Sequence, residues 1–335
     1  MFKYFFFFML FTRCTRYSFF FQNISKAWIR NFSLYSKKTE IESSSNKPQR
    51  NIVNKKKDKK LLNPENETYL LQNEFLQGKR LISISPGGFK GFYLFGILSY
   101  IKEHYNLSDF IYSGASAGSW NSLFMSLQKP NDGYFKVLMQ DDSLKKVSSI
   151  FELEKNIKAK LLEYYKDKES EFDFRRLFIG VTTISNDYQP YTTIYNDFEN
   201  LEDAIDCCIA SSHIPFITGG MINKYNGRMA FDGGFKENPY LNINKSVLHV
   251  SPSMWIKIKQ AIQDSENGKK GIPVKPNPTF FGNLKNFWQQ TTLFKKDNYD
   301  FLELYEQGYK DARENRGILD DIIIHRNYST NYYYT

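Results

Sequence analysis

The chain has 335 residues, 41% hydrophobic and 17% aromatic, enough apolar mass for one large α/β domain or two smaller ones. Its three cysteines, Cys14, Cys207 and Cys208, make neither a disulfide framework nor a metal-ligand spacing, so nothing argues for zinc or for an oxidising compartment. Of the net charge of +9, residues 1–60 supply more than all, with fourteen Lys and Arg against Glu40, Glu42 and Asp58; a nearly neutral body behind a basic tail argues against nucleic acid as a partner.

Residues 1–65 read as a basic, disordered arm. The apolar run from Tyr4 to Phe11 has the length of a signal-peptide core and is too short to span a bilayer, and no acidic residue precedes Glu40. The arm is therefore expected to target the protein to an organelle or the secretory route, with the destination open. From Ser36 to Lys60 the chain is polar and lacks core-forming residues, as in a linker.

Order is predicted from residue 66. Asn66 to Leu76 suits a short helix, and "RLISIS", residues 80–85, alternates as a strand does. "PGGFKG", residues 86–91, is a Gly-rich turn leading into "FYLFGILSYIKEHY", a helix apolar on more than one face. The pattern repeats at once: "DFIYSG" is a strand, "ASAGS" a tight turn, and Trp120, Leu123, Phe124 and Leu127 recur at helical spacing. Two such units specify an α/β fold with a mainly parallel central sheet, whose sites lie at the carboxyl ends of the strands.

Ser116 stands on the second of these turns between Gly114 and Gly118, where a sharp strand-to-helix bend exposes a nucleophilic hydroxyl and leaves little room for neighbouring β-carbons. Acyl transfer also needs donors for an oxyanion, and the backbone N–H groups of Gly87, Gly88 and Phe89 are placed to supply them at a helix N-terminus. A dinucleotide fingerprint is the rival reading of that loop, but Pro86 occupies its first glycine position.

Further along, residues 143–167 form an amphipathic pattern. Ile150, Leu153, Ile157, Leu161 and Leu162 fall near one side, and Lys145, Lys146, Lys155 and Lys158 are available to anionic headgroups. The segment is expected either to dock on membranes or to pack on the sheet as an ordinary surface helix. "AIDCCIASSHIPF", residues 204–216, reads as a helix ended by Pro215. It delivers the chain toward "NGRMAFDGGFKENPY", where Asp232 follows an apolar approach and precedes Gly233 and Gly234. Phe231 and Phe235 beside it favour partial burial and a raised pKa. Of four histidines only His249 stands on a predicted strand beyond Asp232, in the Ser-Asp-His order of α/β-hydrolases; His325 lies close to the chain's end, where a polar tail begins.

These stretches together resemble the patatin-like phospholipase family. The resemblance rests on Gly87, Gly88, Lys90 and Gly91 in the glycine loop, on "GASAG" around Ser116, and on "DGG" at Asp232 followed by Asn238 and Pro239. "CCIASSHIPF" and "YEQGYKDA", residues 305–312, resemble two of the family's helices. The similarity covers about residues 78–315 and departs at Pro86, where glycine is usual. It implies a three-layer α/β/α patatin-like catalytic domain over residues 66–335, working through a Ser116–Asp232 dyad without histidine, cofactor or metal. The implied substrate is a fatty-acyl ester of a phospholipid or other glycerolipid, met at a membrane or lipid-droplet surface. Lys90 would steady the loop, face a lipid phosphate or simply be solvated. Two alternatives stay open: an esterase or thioesterase using His249, and a non-catalytic lipid-binding protein of the same fold.

Overall fold

Residues 61–62, 73–129, 133–141, 144, 147, 149–184, 189–236, 238–241, 246–266 and 300–325 are described in the computed structural model, all within the compact unit Asp58–Thr335. Among them one mixed sheet is built from β1 (Leu61–Leu62), β2 (Arg80–Ile84), β3 (Phe110–Ala115), β4 (Leu177–Ile184), β5 (Pro190–Tyr195), β6 (Asn223–Tyr225), β7 (Arg228–Phe231) and β8 (Leu248–Val250). β8, β2, β3 and β4 lie side by side and parallel, and β5 closes against β4 antiparallel. Helices flank it: α1 (Gly91–His104), α2 (Ala117–Ser126), α3 (Tyr134–Gln140), α4 (Ile150–Tyr164), α5 (Leu201–Ser211), α6 (Met254–Glu266), α7 (Phe301–Glu314) and α8 (Arg316–Asp320). The predicted α/β class with a parallel centre is the observed one.

Strand alternation sorts the core. Ile82, Ile84, Phe110 and Tyr112 pack with Leu94, Ile97 and Leu98 of α1, whereas Leu81, Ile111, Phe178 and Ile194 point the other way, toward Leu76 and Leu241. Every residue of β3 is buried, as expected for an interior parallel strand.

One topological detail positions the site. β3 accompanies β4 only as far as Ala115, opposite Gly180; beyond that, the same edge of β4 is taken by β7, with Phe231 opposite Thr182. β3 runs parallel to β4 and β7 antiparallel, so their carboxyl ends meet head to head. Asn226 and Gly227, both at positive φ, form the two-residue turn between β6 and β7 that sends the chain back along this edge.

A second close fit joins α1 to α7. A β-carbon on Gly96 would lie 2.0 Å from the Tyr305 carbonyl oxygen, and one on Gly308 would lie 2.0 Å from that of Tyr93. The two helices thus cross backbone to backbone. Hydrogen bonds from Tyr93 Oη to Asp311 (2.6 Å) and from Tyr309 Oη to Glu103 (2.6 Å) brace the crossing.

Three expectations change. Leu61–Leu62, assigned to the arm, form β1 against β5, because an open strand edge offers unpaired backbone groups to any short extended segment. Of the helix expected over residues 66–76, only residues 73–76 are described, and Glu74–Leu76 make a single 3-10 turn. The helix expected to run to Pro215 ends at Ser211, since proline disfavours helical backbone at Ile214 and the His213 carbonyl is bonded instead to the Asp232 N–H at 2.8 Å. The arm before residue 61 lies outside the described residues.

Candidate active site

Ser116 follows β3 directly at φ 54°, ψ −128°, a left-handed-side conformation that a serine adopts only where surrounding structure imposes it. Its neighbours impose it. β-carbons on Gly114 and Gly118 would lie 2.1 Å from the Gly118 carbonyl oxygen and 2.2 Å from that of Ile84, so both glycines are needed for β3, α2 and β2 to converge. The Ser116 N–H donates to Ser211 Oγ (2.8 Å), and Ser211 Oγ donates to the Gly180 carbonyl (2.7 Å), which ties the turn to α5 and β4.

The Ser116 hydroxyl donates to Asp232 Oδ2 at 2.6 Å, and the Gly234 N–H donates to Oδ1 at 2.7 Å. Both side chains are buried, with Asp232 only 5% exposed. Burial pushes the Asp232 carboxyl up to about 6, while its bonds from Ser116 and Gly234 hold it from rising further. It is therefore ionised at neutral pH yet basic enough to accept a proton. Gly233 is buried beneath it.

The glycine loop borders the same space. Gly88 lies at φ +52° in a 3-10 turn over Gly88–Lys90, and α1 begins at Gly91. The Lys90 N–H is spent on the Gly87 carbonyl, whereas the N–H groups of Gly87 and Gly88 donate to no described residue. Phe89 is buried and packs its ring against Phe301 of α7, 5.3 Å between centroids, which backs the loop. Lys90 is exposed.

Ser116 and Asp232 open on a cavity of about 190 Å³ whose walls are mainly apolar, among them Phe92, Phe95, Trp120, Leu138, Leu153, Ile157 and Phe301. It suits a hydrocarbon chain far better than a sugar or nucleotide. α4 supplies one wall. Leu153 and Leu161 are buried and Ile150, Ile157 and Leu162 pack on the core, so its apolar stripe is not free to enter a membrane. Lys158 is bonded to Glu202 and Asp206, while Lys145 and Lys146 lie outside the described residues. The docking expectation for this segment gives way to the packed one.

The histidines fall elsewhere. His249 is on β8, in register with Ser83, and its Nδ1 is hydrogen-bonded to Ser83 Oγ at 2.8 Å; β2 lies between its strand and β3, which leads into the Ser116 turn. Burial, then Lys257, lower its pKa to about 4. His213 is also lowered, by burial, and its backbone positions Asp232. His249→Ala is expected to reduce ester hydrolysis tenfold or less, through packing; a fall as deep as that of a Ser116 variant in a folded protein overturns the dyad.

The sequence profile of the patatin-like phospholipase family matches residues 82–243, which include the glycine loop, Ser116 and Asp232 but not His249. The chain carries a patatin-like phospholipase domain. It is 27% identical over 242 residues to human patatin-like phospholipase domain-containing protein 2, covering 69% of this chain and 47% of that one. It is 24% identical over 182 residues to the mouse protein named 1-acylglycerol-3-phosphate O-acyltransferase Pnpla3, covering 51% and 43%. The chain spans about half the length of the curated relatives it matches.

Several residues around the site escaped sequence reasoning. Ser211 holds the nucleophile turn through its hydroxyl, and Trp120 Nε1 donates to Ser212 Oγ (3.0 Å) at the cavity wall. Phe301, far down the chain, reaches the loop through the α1–α7 crossing. Glu154, in the cavity wall, did leave a signal, as an acidic residue inside an apolar helical stripe.

Proposed function

We propose that this protein is a lipid acyl hydrolase in which Asp232 takes the Ser116 hydroxyl proton as Ser116 attacks an ester carbonyl. The observation that carries the reading is the 2.6 Å bond from a strained, buried serine to a buried carboxylate at the mouth of an apolar cavity. As the Ser116 Oγ–carbonyl bond forms, charge on the oxyanion is taken up by the glycine-loop N–H groups of Gly87, Gly88 and Phe89, with the N-terminus of α2 adding its dipole. Collapse breaks the ester C–O bond, and the alcohol leaves with the proton held by Asp232. Water then attacks the acyl-serine as Asp232 accepts its proton; collapse breaks the acyl–Oγ bond, Asp232 returns the proton to Ser116 Oγ, and the fatty acid departs. On this reading the catalytic domain takes in β1 together with residues 66–335, and the basic residues 1–60 are a targeting arm.

A base of this kind fixes the pH dependence. The Asp232 carboxyl must be ionised to act, so hydrolysis of a soluble ester should rise with pH along an acid limb centred at about 6. A His249 mechanism would put that limb near 4 instead. A rate profile from acidic to neutral pH distinguishes the two.

The lipid surface is approached, on this reading, through the loop after α5. Phe216 is 69% exposed and sits at φ 66°, an unfavourable conformation for an aromatic residue whose visible effect is to turn the ring outward. Ile222 and Phe151 are exposed as well, Gly219 of the loop packs on Phe151, and Ile214 and Thr218 line the cavity. An apolar rim continuous with an acyl cavity suits a membrane or droplet surface. Phe216→Asp should lower hydrolysis of vesicle-borne lipid roughly tenfold, with a smaller effect on a soluble ester; equal effects on both would count against docking. Incubating the protein with phospholipid, galactolipid and triacylglycerol and reading released fatty acid by mass spectrometry tests the activity itself. No release from any of them leaves the lipid-binding alternative.

A further inference from the structure

Glu154 occupies a position where packing alone calls for an apolar residue. Ile150, Leu153, Ile157 and Leu161 form the buried stripe of α4, and Glu154, four residues after Ile150, falls within it. The side chain is 7% exposed and lines the cavity shared by Ser116 and Asp232. Lys158, one turn on, is committed to Glu202 and Asp206 and does not neutralise it. The nearby Ser212 hydroxyl spends its proton on the Cys208 carbonyl, and Glu154 Oε2 is buried with no partner among the described residues.

Burial first, and the nearby Asp232 charge second, hold the Glu154 carboxyl well above the usual carboxylate range. Burial thus favours the proton-bearing form of Glu154 in the cavity it shares with Asp232. A neutral carboxyl offers one O–H and one carbonyl oxygen, so Oε2 is either a donor or an acceptor depending on where the proton rests. A hydrocarbon chain satisfies neither state. An ester oxygen only accepts, whereas a hydroxyl both donates and accepts and so meets Oε2 in either state. A buried polar atom that the protein itself leaves unpaired is the arrangement that discriminates against ligands lacking its partner.

We propose that Glu154 is a specificity residue whose free carboxyl oxygen hydrogen-bonds a hydroxyl of the bound lipid, so that the cavity selects acyl esters carrying a free hydroxyl near the scissile bond. The hydroxyl belongs either to the alcohol part, as in a partial glyceride or lysolipid, or to the acyl chain, as in a hydroxy fatty acid ester. This rests on the Ser116–Asp232 reading.

The test compares kcat/KM in mixed micelles for two matched pairs: a monoacylglycerol with its O-methylated counterpart, and a hydroxy fatty acid methyl ester with its O-methylated counterpart. The full-length protein should prefer the free hydroxyl roughly 10- to 100-fold in one pair, and that pair identifies the source. Glu154→Leu should bring the ratio close to one, and Glu154→Gln, which keeps a donor and an acceptor, should retain most of it. A merely structural role lowers both members of a pair together and leaves the ratio standing, which overturns the proposal. So does a wild-type protein without preference in either pair, a measurement that needs no variant to fold. Failure of the underlying reading shows separately, as hydrolysis that survives Ser116→Ala.

Discussion

Ser116→Ala and Asp232→Asn are each expected to lower ester hydrolysis by roughly 10⁴-fold or more, and the double variant to be little worse than either, because nucleophile and base act as one unit. The aspartate variant carries a second, opposite effect. The Asp232 carboxyl is raised from 3.8 to about 6 by burial, so the folded chain resists its ionisation more than the unfolded chain does. Below pH 3.8 the group is protonated in both states and stability is unaffected. As pH rises through 6 the buried carboxylate becomes a burden of roughly 3 kcal/mol. Asp232→Asn removes it while keeping an acceptor for the Gly234 N–H, so thermal melts should show a variant more stable than wild type at neutral pH and no more stable in acid. Ser116→Ala should show no such pH-dependent gain. An asparagine variant that keeps activity, or melts lower at neutral pH, contradicts the assignment of Asp232 as a buried ionised base.

Gly308→Ala is expected to destabilise the domain by roughly 3 kcal/mol, lowering Tm by roughly 6–12 °C. The added methyl would lie 2.0 Å from the Tyr93 carbonyl oxygen and 3.2 Å from the Ile97 nitrogen, and backbone atoms cannot swing aside as a side chain does. Helix propensity works the other way, favouring alanine by about 1 kcal/mol in an isolated helix. A stabilised variant would therefore show that the two helices do not cross as described. The damage should reach the site as well. α7 carries Phe301, stacked on Phe92 at 4.3 Å and touching Phe89, so displacing the helix loosens the wall behind the glycine loop. Soluble-ester activity measured below the melting transition should fall alongside Tm.

Much of this was legible because some residue patterns have few physical solutions. Two strand-loop-helix units in succession leave a parallel sheet as the natural packing, and glycines on either side of Ser116 have a use in a turn too tight for β-carbons. The apolar approach to "DGG" likewise foretold a buried carboxylate. Other signals were local and therefore ambiguous. The stripe of α4 fits a membrane surface and a protein core equally well by periodicity, and only its contacts with Leu201, Ile205 and the cavity show which apolar phase it meets. The end of α5 was misjudged for a related reason. Proline marks where a helix must have stopped, but the Asp232 N–H, 19 residues after His213, claims a carbonyl of that segment and fixes the break earlier.

The sequence by itself determined the fold class, the turn that exposes Ser116, and the chemistry available at Asp232, since each depends on neighbours within a few residues. Tertiary structure alone decided that these two meet. Ser116 and Asp232 are 116 residues apart, and they face each other because β7 takes over the edge of β4 at the point where β3 leaves it. The same holds for Glu154 and Ser212 in the cavity wall and for Phe301 behind the loop. Strand pairing and helix crossing are summed over many weak contacts between distant segments, and no single stretch of sequence carries that sum.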